Sequence, residues 1–177
     1  RCWESDLTEM ISRDRNHPCV FCWSVGNEVN DQAGDEMLKR LAMLVGKVKE
    51  LDAARPVTYA MEPHVFVDWQ KSLSPDEKAE LVKKIKEYVD IVSGNYHEQY
   101  YEQYYELMPD ILVIGTETLP FYRNSALGDN AYTARNPWFD VAENDFVLGQ
   151  FVWPGIDYLG ESVWPARMWS GGLIDST

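Results

Sequence analysis

Two glutamates occupy equivalent places along this sequence, each two residues after a glycine that closes an apolar segment. Glu28 ends the run Gly-Asn-Glu at 26–28, and Glu117 ends the run Gly-Thr-Glu at 115–117. Two carboxyl groups can share general acid/base catalysis, or one can act as a nucleophile while the other moves protons. A glutamate in this position can equally cap the next helix or pair with a basic side chain, and position alone favours neither interpretation.

Other polar and aromatic side chains follow further apolar segments in the same way. In a fold of parallel strands, groups just past the carboxyl ends of the strands converge on one face, which is where such folds bind their ligands. Besides the two glutamates and Asn27, this rule selects Met61, Glu62, His64, Asn95, Tyr96, His97, Glu98, Thr118, Trp153, Asp157 and Tyr158.

The elements that would position these groups alternate between strand and helix. Short apolar runs predict five strands, at 20–25, 56–60, 90–94, 111–115 and 146–152. Helical periodicity predicts helices at 4–14, 35–52, 98–106 and 138–143, and another that begins with the capping box of Ser74, Pro75 and Glu77. Consecutive β-α-β units are right-handed and give a parallel sheet. We therefore predict one α/β domain over 1–177, with about five parallel strands and intervening helices.

Composition excludes some partners. The chain has 16 basic and 29 acidic residues, a net charge of −13, which repels nucleic-acid phosphates and anionic membrane surfaces. No apolar run approaches the roughly 20 residues that cross a bilayer. Cys19 and Cys22 have zinc-like spacing but no second pair to complete four ligands, so we expect buried free thiols and no metal site. An acidic, aromatic-rich chain favours a neutral ring-shaped ligand such as a sugar.

The ordered set of motifs resembles glycoside hydrolase family 2, which includes the β-galactosidases and β-glucuronidases. Arg-Asp-Arg-Asn-His-Pro at 13–18, followed by Trp-Ser-Val-Gly-Asn-Glu at 23–28, resembles the acid/base signature of that family. Ile-Gly-Thr-Glu-Thr at 114–118 resembles its nucleophile segment, and 149–161 resembles the motif of its eighth barrel strand. The segments at 55–58, 95–96 and 172–175 also fall in the expected order.

The resemblance implies a role for each of five residues. Glu28 would be the acid/base and Glu117 the nucleophile of a retaining glycosidase. Tyr96 would donate a hydrogen bond to Glu117, and Asn27 would bind the sugar 2-hydroxyl. Trp153 would form an aromatic wall for the sugar ring, although an indole packed in the barrel core is the alternative.

The resemblance also implies a partial (β/α)8 TIM barrel. A complete barrel takes roughly 250 residues, whereas this chain has 177. Its five strands would correspond to the fourth to eighth strands of the family, so we expect a longer parent that supplies the first three. No cofactor is expected here; magnesium is possible in the parent, through ligands on the missing strands. The two open edges of the sheet would favour a homo-oligomer, and the chain alone should have little activity.

The expected function is that of a retaining exo-β-glycosidase acting on terminal β-linked sugars by double displacement. An Asn-x-Lys element, by which glucuronidases bind the sugar carboxylate, is absent after Glu117, which favours a β-galactosidase-like enzyme. Two alternatives remain: a carbohydrate-binding pseudoenzyme, which would need neither glutamate, and a cellulase-like endo-glycosidase, which can also carry an Asn-Glu pair.

Overall fold

A computed structural model describes residues 2–29, 34–61, 66–68, 71–72, 74–118, 137–158, 160 and 172–174. The helices are α1 (Trp3–Asp14), α2 (Asp35–Leu51), α3 (Pro75–Lys86), α4 (Tyr101–Leu107) and α5 (Trp138–Ala142), and a 3₁₀ turn at Glu98–Tyr100 precedes α4. The strands are β1 (Trp23–Asn27), β2 (Val57–Met61), β3 (Phe66–Asp68), β4 (Lys71–Ser72), β5 (Ile91–Asn95), β6 (Val113–Thr118) and β7 (Val147–Val152).

Five of the strands form one parallel sheet in the order β1-β2-β5-β6-β7. The predicted α/β fold with five parallel strands is thereby confirmed. The short strands β3 and β4 pair antiparallel in a separate two-stranded sheet, which the sequence did not predict because 61–73 shows no clear periodicity. All five strands of the main sheet run the same way, so their carboxyl ends share one edge.

The first strand begins three residues later than predicted. Val20 is apolar, but its backbone N–H donates to the carbonyl of His17 across 3.1 Å, in a turn. Its own carbonyl accepts a hydrogen bond from Nε of Arg55 at 2.6 Å. Pairing in the sheet starts only where the N–H of Trp23 donates to the carbonyl of Pro56. The apolar run therefore includes a turn that a side chain from a later segment holds in place.

Helix α3 begins as its capping box predicts. The backbone N–H of Glu77 donates to Oγ of Ser74 across 3.3 Å, and the backbone N–H of Ser74 donates to Oε2 of Glu77 across 2.8 Å. Pro75 occupies the start of the helix, where its missing N–H costs nothing. Two backbone donors that the helix leaves unpaired are thus satisfied locally.

The main core lies between the sheet and helices α2, α3 and α4. It contains buried residues from all of these elements: Leu41, Tyr59, Met61, Val82, Ile85, Val92, Tyr101, Tyr104 and Val113. Tyr101 and Tyr104 are each 1% exposed, so both rings anchor α4 to this core. Among the described residues, no helix is both long enough and apolar enough to cross a membrane.

A smaller core cluster closes the amino end of the sheet. Ile11, Val48 and Val57 pack there with Trp23, the first residue of β1. The indole Nε1 of Trp23 donates to Oδ2 of Asp52 across 3.0 Å, and Nη1 of Arg55 donates to the same oxygen across 2.7 Å. These two donors, Trp23 first, lower the pKa of Asp52 to about 2. The network joins the end of α2 to the start of β1.

Candidate active site

The two glutamates lie at the carboxyl edge of the sheet, on strands that are not neighbours. Glu28 follows the last residue of β1, and Glu117 is the penultimate residue of β6. Strands β2 and β5 lie between them in the sheet order. The charge of Glu28 nevertheless acts on Glu117, and the side chains at the end of β5 connect the two.

Glu117 is half-buried and has several hydrogen-bonding partners. Burial is the largest effect on its carboxyl group and raises the pKa, and the negative charge of Glu28 raises it as well. The hydroxyl of Tyr96 opposes both effects by donating to Oε2 across 3.1 Å. The side chains of Asn27 and Asn95 also interact with this carboxylate and lower its pKa, more weakly than Tyr96 does. The predicted contact between Tyr96 and Glu117 is therefore present.

The proton of Tyr96 stays on its hydroxyl. Burial, followed by the charge of Glu117 and the hydrogen bond to it, raises the pKa of Tyr96 well above its usual range. A phenol that keeps its proton donates a hydrogen bond and stabilises the charged form of the carboxylate that accepts it. Tyr96 thus favours an ionised Glu117, against the effect of burial.

Two site residues have left-handed backbone conformations. Glu28 has a φ of 46° and Tyr96 a φ of 59°, values that non-glycine residues adopt infrequently. The N–H of Glu28 donates to the carbonyl of Ala60 across 3.0 Å, and the N–H of Tyr96 donates to the carbonyl of Glu117 across 2.7 Å. These bonds to neighbouring strands hold both residues in place, as is usual where strained backbone carries function.

Asn95, the last residue of β5, is fully buried and contacts both Asn27 and Glu28. Its Nδ2 donates to Oδ1 of Asn27 across 3.0 Å and to Oε1 of Glu28 across 2.8 Å. Its Oδ1 accepts a hydrogen bond from Oγ1 of Thr116 across 2.7 Å. The strand-end rule selected Asn95 from the sequence, but nothing in its spacing indicated these partners, and Thr116 was missed.

Trp153 lies at the same edge of the sheet, just beyond β7. Its backbone N–H donates to the carbonyl of Thr118, the last residue of β6, across 2.8 Å. The indole is half-buried, and its ring meets that of Tyr158 edge-on, with centroids 6.1 Å apart. A partly exposed indole at this edge is compatible with the sugar-facing role that the resemblance implies.

Other residues that the strand-end rule selected do not join this site in the described structure. His97 is 1% exposed, and its Nδ1 shares a hydrogen bond with the hydroxyl of Tyr104 across 3.0 Å, so it belongs to the core. Glu98 is also buried, and burial raises its pKa to about 7. Glu62, His64 and the loop at 119–136 lie outside the described residues. Within the part of the chain that the structure describes, no three His, Cys, Asp or Glu residues cluster as metal ligands. The cysteines are free thiols, but Cys2 and Cys19 are exposed rather than buried as predicted.

Comparison with known proteins gives the family. Residues 3–120 match the model of the glycosyl hydrolases family 2 TIM barrel domain. A β-galactosidase of Bacteroides ovatus is 28% identical over 97% of this chain and 27% of its own length. A putative β-glucuronidase of Formosa agariphila is 28% identical over 98% of this chain and 19% of its own length. The chain thus spans less than a third of these relatives.

Solved structures agree with this assignment. The crystal structure of a glycosyl hydrolase family 2 member from Bacteroides cellulosilyticus has a TM-score of 0.70 and 30% identity, and the match covers 92% of this chain and 18% of that one. A Ruminococcus gnavus β-glucuronidase has a TM-score of 0.70 over 98% of this chain and 32% of that one, but at 19% identity it supports the fold alone. The chain belongs to glycoside hydrolase family 2, and its five-stranded parallel sheet is part of a TIM barrel.

Proposed function

We propose that this chain carries the catalytic carboxylates of a retaining β-glycosidase, with Glu117 as the nucleophile and Glu28 as the acid/base. The observation that carries the proposal is the set of contacts that joins the two groups. Tyr96 donates to Glu117, and Asn95 donates to Glu28 and interacts with Glu117. Two carboxylates held together at the carboxyl ends of barrel strands fit glycoside hydrolysis by double displacement.

The proposed reaction has two steps. In the first, the Glu117 carboxylate attacks the anomeric carbon while the protonated Glu28 gives its proton to the glycosidic oxygen, so that the leaving alcohol departs. An ester between Glu117 and the sugar results. In the second step, Glu28 takes a proton from a water molecule, whose oxygen attacks the same carbon and releases Glu117. Two inversions at one carbon give overall retention.

The neighbours of Glu117 suit the nucleophilic role. Its pKa is raised by burial and by Glu28, which increases the basicity of the attacking oxygen. The hydrogen bond from Tyr96 still favours the ionised form that must attack. In this proposal Asn27 binds the 2-hydroxyl of the sugar, and the half-buried ring of Trp153 provides an apolar surface for the sugar ring.

For the substrate, we propose a terminal β-linked neutral sugar of the galactoside type, cleaved in exo fashion. One relative is named a β-galactosidase and another a putative β-glucuronidase. Residues 118–177 contain no lysine, so an Asn-x-Lys segment that binds a sugar carboxylate would have to come from another part of the longer enzyme. The presence of both carboxylates argues against a pseudoenzyme, and the match over 3–120 argues against a cellulase-like barrel.

We further propose that residues 1–177 act as one unit of a longer enzyme, in which further strands complete the barrel. In the described sheet β1 and β7 are the two edges, and Leu148 and Phe151 of β7 are each about half exposed. Alone, the 177-residue chain should turn over an aryl β-galactoside poorly and self-associate through these edges. Sedimentation velocity tests the second point; a strictly monomeric chain at all concentrations would contradict it.

The function is tested in the complete enzyme with a panel of aryl β-glycosides. On the aryl glycoside with the poorest leaving group, Glu117→Gln and Glu28→Gln should each lower kcat by at least about 10³-fold. Glu106→Gln, which changes an exposed glutamate of α4, should leave kcat unchanged. A 2-deoxy-2-fluoro-galactosyl fluoride should label Glu117, as peptide mass mapping would reveal. Labelling of a different residue, or a first product of inverted configuration, would refute the proposal.

A further inference from the structure

The amide of Asn95 is fully committed to partners that belong to the site. Its N–H groups donate to Oδ1 of Asn27 and Oε1 of Glu28, and the same amide interacts with the Glu117 carboxylate. Its oxygen accepts the proton of the Thr116 hydroxyl. The side chain is 0% exposed, so no water competes for these groups. Reversing the amide would turn its oxygen towards the Glu28 carboxylate, where two acceptors would repel each other.

The contacts of Asn95 also fix the orientation of Asn27. Because Oδ1 of Asn27 accepts a hydrogen bond from Asn95, its own NH2 group remains available to donate. That side chain interacts with the carboxylate of Glu117 and lowers its pKa. A donor therefore faces the nucleophile and any sugar hydroxyl bound beside it.

The side chain of Asn95 connects β5 to the end of β1, a strand that is not its neighbour in the sheet. Strand β1, which leads into Glu28, is separated from β5 by β2, whereas β6, which carries Thr116 and Glu117, is a neighbour of β5. Backbone pairing of β5 with β2 and β6 involves residues throughout the strand, so it does not depend on the Asn95 side chain. The side chain acts across the carboxyl edge of the sheet, where backbone pairing cannot set the distance between the two carboxylates.

We propose that Asn95 is a positioning residue that sets Glu28 and Asn27 against the nucleophile Glu117, with Thr116 holding the Asn95 amide in its orientation. The inference rests on the proposed function of the two glutamates. Displacement of a catalytic group by about 1 Å can lower a rate by about 10²-fold. In this proposal Asn95 acts through the two carboxylates that it contacts and makes no contact with the sugar.

The test uses Asn95→Ala and Asn95→Asp in the complete enzyme, with Asn144→Ala as the matched control. Asn144 is half-buried, and its Nδ2 donates to the carbonyl of Asp140 across 2.7 Å. Each Asn95 variant should lower kcat by about 10²-fold with less than about a threefold change in KM, while Asn144→Ala leaves both unchanged. Wild-type kcat in both Asn95 variants would overturn the proposal.

A second pair of variants keeps the test decisive where an Asn95 variant folds poorly. Thr116→Val removes the hydroxyl that donates to Asn95 and should lower kcat by about tenfold, and Thr116→Ser, which keeps the hydroxyl, should restore it. The acidic limb of the pH profile should also move upwards in Asn95→Ala, because the Glu117 carboxylate loses one stabilising contact while Glu28 and Tyr96 still face it. An equal loss in Thr116→Val and Thr116→Ser would contradict the proposed role.

A titration separates this inference from the proposed function. Carboxyl ¹³C NMR of the complete enzyme follows Glu117 whether or not the enzyme is active. Asn95→Ala should raise the midpoint of the Glu117 titration, and an unchanged midpoint would count against the inference. Failure of the fluorosugar to label Glu117, with the midpoint shifted as expected, would overturn the catalytic assignment alone.

Discussion

Tyr96 contacts Glu117 twice: its backbone N–H donates to the carbonyl of Glu117 across 2.7 Å, and its hydroxyl donates to Oε2 of the same residue across 3.1 Å. The backbone bond fixes the chain of β6 beside the end of β5. The hydroxyl bond then fixes the carboxylate relative to that backbone. The left-handed φ of Tyr96 is the local conformation in which both contacts are made.

Removing the Tyr96 hydroxyl should leave Glu117, the proposed nucleophile, less well positioned and less often ionised, without unfolding the protein. Tyr96→Phe keeps the ring and the backbone bond, but the Glu117 carboxylate loses its main hydrogen-bond donor. The pKa of Glu117 should rise further, and kcat of the complete enzyme should fall by about 10²-fold. Steady-state kinetics and a carboxyl titration would measure the two effects. Tyr105→Phe, at an exposed ring stacked on Phe146, is the control, and an equal loss in both variants would contradict the prediction.

Neutralising Glu117 should abolish activity yet stabilise the fold at neutral pH. The pKa of this carboxyl is raised in the folded protein, so the native state binds the proton more tightly than the unfolded state does. The free energy of unfolding therefore falls as pH rises from the unfolded pKa through the folded pKa. Glu117→Gln removes the effect and should raise Tm at pH 7 by a few degrees. Thermal unfolding should show a smaller gain at pH 4. If the gain in Tm over wild type were smaller at pH 7 than at pH 4, this account would be wrong.

Two glycines should respond oppositely to alanine. A Cβ at Gly94 would lie 2.5 Å from Nδ1 of His97, whose ring is buried against Tyr104, so Gly94→Ala should cost about 2 kcal/mol. A Cβ at Gly46 would meet nothing within 4 Å. Since Gly46 lies inside α2, Gly46→Ala should stabilise by about 0.5–1 kcal/mol. Urea unfolding measures both variants, and similar effects at the two positions would count against the packing described here.

Asp52 should make the fold sensitive to acid. Its pKa is lowered to about 2 from 3.8, so its contribution to stability is complete above pH 4 and is lost as pH falls towards 2. Asp52→Asn should therefore lower Tm by several degrees at pH 7, and the difference from wild type should shrink near pH 2. Asp145→Asn, at an exposed position, provides the comparison. A difference that does not change with pH would show that the charge of Asp52 is not the cause.

Local features of the structure followed from the sequence, whereas long-range ones did not. The capping box of Ser74 and Glu77 and the bounds of α1 and α2 depend on neighbours within a few residues, so pattern alone predicts them. Strand β6 begins at Val113 rather than at Ile111, because the N–H of Ile111 donates to the carbonyl of Met108 in a turn. An apolar run does not reveal such a turn.

The same distinction holds for the site. The strand-end rule placed Glu28, Glu117 and Tyr96 at one edge of the sheet because parallel strands end together. The contacts of Asn95 with Glu28 depend on how closely the end of β1 approaches β5 across β2, and no local pattern encodes that distance. The catalytic roles of Glu28 and Glu117 and the sugar-binding roles of Asn27 and Trp153 stay predictions.

The network of Trp23, Asp52 and Arg55 lies at the opposite end of β1 from Glu28. Trp23 and Glu28 are five positions apart along the strand, which corresponds to roughly 16 Å. Substitutions that far apart, with no shared partners, have additive effects on folding free energy. Stabilising substitutions around Trp23 can therefore be combined with changes around Glu28, and each should keep the effect on folding free energy that it has alone.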